Sequence, residues 1–190
     1  MDAQSIFNHL AAKYGEAVYG FTAENPKDGP RDPYLKVKAE RWVDVALTLR
    51  DDPALLFDFL QNVTAVDWLK QNRIDSVYHL YSYPLKHSLV VKIELDRAKP
   101  QVPSVAGVWK AADWNEREQF DLVGVEFVGH PDLRRIMLPD DWIGYPLRKD
   151  YKEAESYRGM PTTRPNTLEL LPIFDKASPD DKKKPLGDDK

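Results

Sequence analysis

Three carboxylates fall within six residues of this sequence, in the run Glu116-Arg117-Glu118-Gln119-Phe120-Asp121. Glycosidases and other hydrolases use paired carboxylates as general acid and base, so a free-standing soluble hydrolase is the first chemistry to weigh. Helical geometry speaks against it. Successive residues lie about 100° apart around a helix, so Glu116 and Glu118 diverge by about 200°. Asp113-Trp114-Asn115-Glu116 has the form of a capping box, which gives Glu116 a structural task where a new helix is expected to begin. Asp121 then sits in the last turn, where the helix dipole disfavours an anion by about 0.3–1 kcal/mol. A compensating cation is expected there, Arg134 or Arg135 from elsewhere in the fold, with Arg117 at i−4 as the local alternative. A structural ion pair is therefore expected in preference to a catalytic role.

Other chemistries find less support. His9, His79, His87 and His130 show no zinc-ligand spacing, and the two that flank a hairpin do not make a metal site alone. Gly124 and Gly129 are too far apart for a phosphate loop, and no G-x-S-x-G elbow is present. The absence of cysteine removes disulfides, thiolate nucleophiles and iron–sulfur ligation together, and fits a reducing compartment. Net charge is −4, and Arg134-Arg135 and Lys182-Lys183-Lys184 lie among many acids, which argues against nucleic acid. No apolar run reaches the ~18–20 residues of a membrane span, and the N-terminus lacks the pattern of a secretory signal. Membrane association is thus expected only through a partner.

The carboxylates need a frame. At 190 residues the chain suits one domain and a tail. A body of about 150 residues buries roughly 68–70% of its unfolded surface, enough for its own core. Residues 3–14 read as an amphipathic helix through Ile6, Phe7, Leu10, Ala11 and Tyr14, stopped by Gly15. A strand at 17–21, a loop at 25–33 and a short strand at 34–38 follow, then a helix over 40–50. Asp52 as N-cap and Pro53 predict a further short helix through Leu60. Strands are expected at 63–68, 77–83 and 89–95, the last two joined by the loop PLKHS. The helix from Asp113 ends at Gly124, and short extended pieces are expected at 125–128 and 135–138. The fold class is α+β, an antiparallel or mixed sheet with helices packed on it, plus an extended irregular C-terminal tail. Residues 1–151 form the domain, with a variable part at 1–33, and 152–190 the tail. That tail carries five prolines, and its end, SPDDKKKPLGDDK, is expected to be disordered in isolation. Leu168, Leu170, Leu171, Ile173 and Phe174 form an apolar cluster within it, suited to lying along another protein or folding back on its own body.

One long stretch is more specific than any of these patterns. The run from Glu116 to Gly124 resembles the signature of the C subunit of NADH–quinone oxidoreductase, the thirty-kilodalton subunit family of respiratory complex I. The likeness continues through His130-Pro131-Asp132-Leu133-Arg134-Arg135-Ile136-Met137-Leu138, then Asp141-Trp142, Gly144 and Pro146-Leu147-Arg148-Lys149-Asp150-Tyr151. Upstream, AVDW at 65–68 and VYHLYS at 77–82 share it, so it covers roughly residues 34–151. Tyr145 departs from the family pattern, where a histidine is expected. The resemblance implies a non-redox structural and assembly subunit of the hydrophilic arm, with FMN and iron–sulfur clusters carried by other subunits. It implies a large quinone-site partner, a D-type subunit, over which the C-terminal tail runs. It places the chain peripherally on the cytoplasmic face of a bacterial cell membrane, as part of an enzyme but not itself catalytic. Glu116, Arg117, Glu118, Asp121, Gly124, His130, Arg134, Arg135, Arg148 and Asp150 are then structural or interface residues, with no catalytic, cofactor or metal site. A homologous component of a related membrane-bound hydrogenase or photosynthetic-type complex is the nearest alternative.

Overall fold

Alternation along the strands decides which side of the sheet becomes core. The computed structural model describes residues 1–23 and 32–162. Its main sheet contains β1 (Val18–Thr22), β2 (Tyr34–Val37), β3 (Phe59–Trp68), β4 (Arg73–Ser82) and β5 (His87–Asp96), in the order β1-β2-β5-β4-β3. Neighbours are antiparallel except β2 and β5, which run parallel, so the sheet is mixed. Ile74, Tyr78 and Leu80 of β4 and Leu89, Val91, Ile93 and Leu95 of β5 share one face, as period-two side-chain alternation requires. Against that face pack Ile6 and Leu10 of α1 (Ala3–Tyr14), Trp42, Val45, Ala46 and Leu49 of α2 (Trp42–Asp51), and Ala112 and Val123 of α3 (Lys110–Val123). The Trp42 ring lies 4.6 Å from that of Tyr78 and 6.4 Å from that of Trp109, which makes an aromatic centre for the core. The α+β class expected from the sequence is the one observed.

The opposite face of the sheet is polar at one end. Glu94 accepts from Lys36 at 2.9 Å and from Arg73 at 2.6 Å, while Arg73 and the Trp68 indole both reach Asp75. β3 is one edge of this sheet, and the Gln119 side chain of α3 accepts the Ala65 N–H there at 2.9 Å. Two short parallel strands, β6 (Gln101–Pro103) and β7 (Glu126–Val128), bracket α3 in sequence and form their own pair.

Four local expectations change. The helix expected from Asp52 to Leu60 is a single turn. Asp52 does accept the Ala54 N–H, but Leu56 takes φ +43° and the Phe57 N–H turns to the Leu49 carbonyl, burying Leu55 and Phe57 instead of continuing. No helix starts at Asp113: α3 begins at Lys110 and runs straight through that position. Residues 135–138 are bent, not extended, for a reason given below. The hairpin after β4 turns over Tyr83–Lys86, with Lys86 left-handed at φ +54°, so His87 of the expected loop already belongs to β5.

The chain divides into two units, Met1–Tyr151 and Lys152–Lys190. Of the second, the described part holds a two-stranded hairpin, β8 (Ser156–Tyr157) with β9 (Met160–Pro161). Most of the loop expected at 25–33, the apolar cluster Leu168, Leu170, Leu171, Ile173 and Phe174, and the terminal SPDDKKKPLGDDK lie outside the described residues.

Candidate protein-docking site

Helix α3 presents an unusual face to the protein interior. Glu116, Arg117, Gln119 and Asp121 are all buried, and buried polar groups require partners. Glu116 does not close a capping box with Asp113. Its carboxylate reaches back to the turn after β6, accepting the Ser104 hydroxyl and, at 2.8 Å, the Val105 N–H. The D-x-x-E spacing satisfies the local rule, but an orphan N–H on the preceding turn lies within reach and takes the carboxylate. Burial pushes the Glu116 pKa up to about 7. His130, just after β7, is packed beside it with its side chain fully buried. Arg117 lies with its guanidinium 4.8 Å from the Trp114 ring centre and 3.8 Å from the Asp132 carboxylate. Glu118 is half-buried and shares none of these contacts, so the divergence of Glu116 and Glu118 expected from the sequence is what the helix shows.

Asp121 is the centre of a second arrangement. One carboxylate oxygen receives Arg135 at 3.1 Å, while the other receives the backbone N–H groups of Ile136, Met137 and Leu138 at 3.0, 2.7 and 2.9 Å. Three successive amides converging on one oxygen need a bent backbone, which is why 135–138 does not extend. Of the candidate cations, Arg135 is the one paired with Asp121; Arg134 turns to Asp132 at 3.0 Å.

The next segment wraps the C-terminal end of α3. The Arg148 guanidinium donates to the Val123 carbonyl at 2.7 Å, and the Leu147 N–H donates to the Leu122 carbonyl at 3.0 Å, so orphan carbonyls of the last turn are satisfied from outside the helix. Gly124 takes φ +79°, and a Cβ there would lie 2.5 Å from the Tyr145 ring, so both backbone conformation and contact demand glycine. The Tyr145 ring lies within 4.8 Å of the Arg148 guanidinium and 5.7 Å of that of Arg135. Tyr145, in the sequence only a departure from a pattern, holds this junction together. Farther along, Arg97 pairs with both Asp67 of β3 and Asp150, and the Lys149 N–H donates to Asp67 at 2.8 Å. The Arg97 hydrogen bonds hold the carboxyls of Asp67 and Asp150 below their usual range. Sequence reasoning misses Arg97 and Asp67 as a pair. A lone aspartate within the apolar strand 63–68 is the available signal.

Pinned in this way, the segment carries apolar side chains outward: Met137 is 65% exposed, Ile143 89% and Leu147 57%. A cavity of about 410 Å³ lined by Arg50, Phe59, Trp109 and Lys110, and one of about 260 Å³ on the open sheet face, include none of Glu116, Glu118 or Asp121 in their walls. Among the described residues no cluster of three or more histidine, aspartate or glutamate side chains could hold a metal, and no helix is long and apolar enough to cross a membrane.

Fold and site together define an α+β module whose buried polar groups fasten an outward-facing apolar loop. The chain belongs to the respiratory-chain NADH dehydrogenase, 30 kDa subunit family, whose model matches residues 35–157. It is 39% identical to the C subunit of NADH-quinone oxidoreductase from Chlorobium phaeobacteroides, over 83% of this chain and 93% of that one. It is 37% identical to the C/D subunit of NADH-quinone oxidoreductase from Phocaeicola vulgatus, over 82% of this chain but 30% of that longer protein. Among solved structures, the trypsin-resistant fragment (1–134) of Nqo5 superposes with a TM-score of 0.56 at 26% identity, covering 70% of this chain and all of the fragment.

Proposed function

We propose that this chain is a non-redox structural and assembly subunit of the hydrophilic arm of NADH–quinone oxidoreductase, the assembly that couples NADH-to-quinone electron transfer to proton translocation. The observation that carries the docking role is the row Met137, Ile143 and Leu147, exposed yet held on a segment fastened by Asp121, Arg135 and Arg148. Three exposed apolar residues within eleven positions of one fastened segment are suited to meeting another protein. The partner is the large quinone-site protein, the D-type subunit, a choice supported by the relative that bears the C and D names in one polypeptide. With no cysteine in these 190 residues to ligate iron–sulfur clusters, those clusters are assigned to other subunits, and the FMN with them. The chain then lies peripherally on the cytoplasmic face of the cell membrane, attached through its partners. The tail cluster Leu168, Leu170, Leu171, Ile173 and Phe174 is assigned to the same partner.

The hydrolase alternative has little to work with, because Glu116 and Asp121 are fully buried and already occupied by internal donors. The test is a substitution at the outermost residue. Ile143→Asp is expected to leave the thermal midpoint of the isolated chain within about 2 °C, since it alters no core contact. It is expected to weaken capture of a copurified D-type subunit at least tenfold. Unchanged capture removes the row from the interface.

A further inference from the structure

After Phe127, the last residue of the buried core, the chain changes character. Residues 129–151 contain neither helix nor strand, and none of them belongs to that core. Leu133 packs at the core margin, the His130 side chain is covered, and the Tyr145 ring rests on Gly124. Hydrogen bonds and ion pairs do the rest of the fastening. At the entry, the Arg117 guanidinium donates to the Arg134 carbonyl at 3.4 Å. Next, Asp121 takes Arg135 and the amides of Ile136, Met137 and Leu138. Arg148 and the Leu147 N–H then hold the last carbonyls of α3, and the Asp67–Arg97 pair holds Lys149 and Asp150. Braces within the segment join these points. The Arg135 guanidinium reaches the Gly144 carbonyl at 3.5 Å as well as Asp121, and the Tyr145 ring contacts both Arg135 and Arg148.

We propose that residues 129–151 form a strap that opens and closes on the body as one unit while the sheet and its helices stay folded. A polar contact given up to water is largely replaced by hydration, whereas a buried apolar side chain has no such compensation. Opening returns Asp121, Asp67 and the last carbonyls of α3 to water and leaves the core through Phe127 covered. Segments with few buried apolar contacts are the ones that open below the free energy of global unfolding. The braces make the strap a unit, because Arg135 cannot leave Asp121 without disturbing Gly144 and Tyr145, and Tyr145 is bound to Arg148 in turn. Met137, Ile143 and Leu147 ride on this strap, so they have a fixed arrangement only when it is closed. A partner that binds them therefore selects the closed form, a coupling that rests on the docking role proposed above.

The experiment is native-state amide hydrogen exchange of the full chain, read by NMR at rising urea below the unfolding transition. The amides of Ile136, Met137, Leu138, Leu147 and Lys149 each make one of the fastening bonds. They are expected to exchange through a common opening, about a hundredfold or more faster than the amides of β4 and β5. Their urea dependence is expected to be shallower, since a strap exposes less surface than the whole body. Asp150→Ala removes the half-exposed end of the fastening and leaves the Arg97–Asp67 pair in place. It is expected to speed all five strap amides together by about fivefold, the most that one exposed ion pair supplies, with β4 and β5 unchanged. Five amides that exchange at the β4 and β5 rate, with the same urea slope, would make the segment part of the global unit and overturn the proposal. An Asp150→Ala effect that is absent, or confined to Lys149, overturns it as well, because the segment would not then move as one. None of these measurements involves a partner chain, so the strap and the docking role stand or fall separately.

Discussion

At the scale of single residues, Asp121 shows how far a carboxylate can be read from a sequence. Its place in the last turn of a helix calls for a cation, and Arg135 supplies one. The three amides are not legible, because they come from a backbone bend that the carboxylate itself organises, and a stretch such as Arg135-Ile136-Met137-Leu138 reads as extended by composition alone. Asp121→Asn keeps the shape but loses the charge and puts an NH2 group against a cation or backbone donors. The expected cost is about 3 kcal/mol, by comparison with buried ion pairs and charged hydrogen bonds. Urea unfolding checks it, and a change below about 0.5 kcal/mol would show that the amides find other acceptors. Glu116 misleads for the opposite reason. Its local pattern is a good capping box, and a nonlocal N–H outcompetes it.

At the scale of elements, the end of α3 is closed by groups that arrive more than twenty residues later in the chain. The glycine stop at Gly124 is legible, because a left-handed residue commonly follows the last turn. The Tyr145 ring behind it is not, since nothing in the spacing relates residue 145 to residue 124. Gly124→Ala is expected to cost about 2–4 kcal/mol, the left-handed strain plus displacement of that ring. In a double-mutant cycle with Tyr145→Ala the two costs are expected to be non-additive by more than about 1 kcal/mol. Additive values would mean that the ring moves aside freely. The strands are the most legible part of the frame: the alternation over 89–95 gives the buried face of β5, and the turn residue Asn72, left-handed at φ +50°, closes the β3–β4 hairpin.

At the scale of the whole molecule, all the buried core residues among those described, from Ile6 to Phe127, lie in the first unit. Removing the residues beyond Thr162 is therefore expected to leave the thermal midpoint within about 2 °C. The same truncation is expected to reduce retention in the assembled complex, because it deletes the tail cluster assigned to the partner. Unimpaired assembly of the shortened chain would withdraw that assignment. Composition alone bounds the size of this body. It does not indicate that Met137, Ile143 and Leu147 stay exposed, because they have no helical or strand period and are held outward only by the bend and the clamp.

The hydrogen bond from the Ala65 amide to Gln119 bears on the life of the chain before assembly. A ten-residue strand at the border of a sheet is a template on which a second copy can polymerise, and a subunit made apart from its partners is most vulnerable while it waits. With the mid-strand Ala65 amide occupied by Gln119, one backbone donor along that border is closed to an incoming strand. The helix that frames the apolar loop thus also withholds this amide from a second copy of the polypeptide.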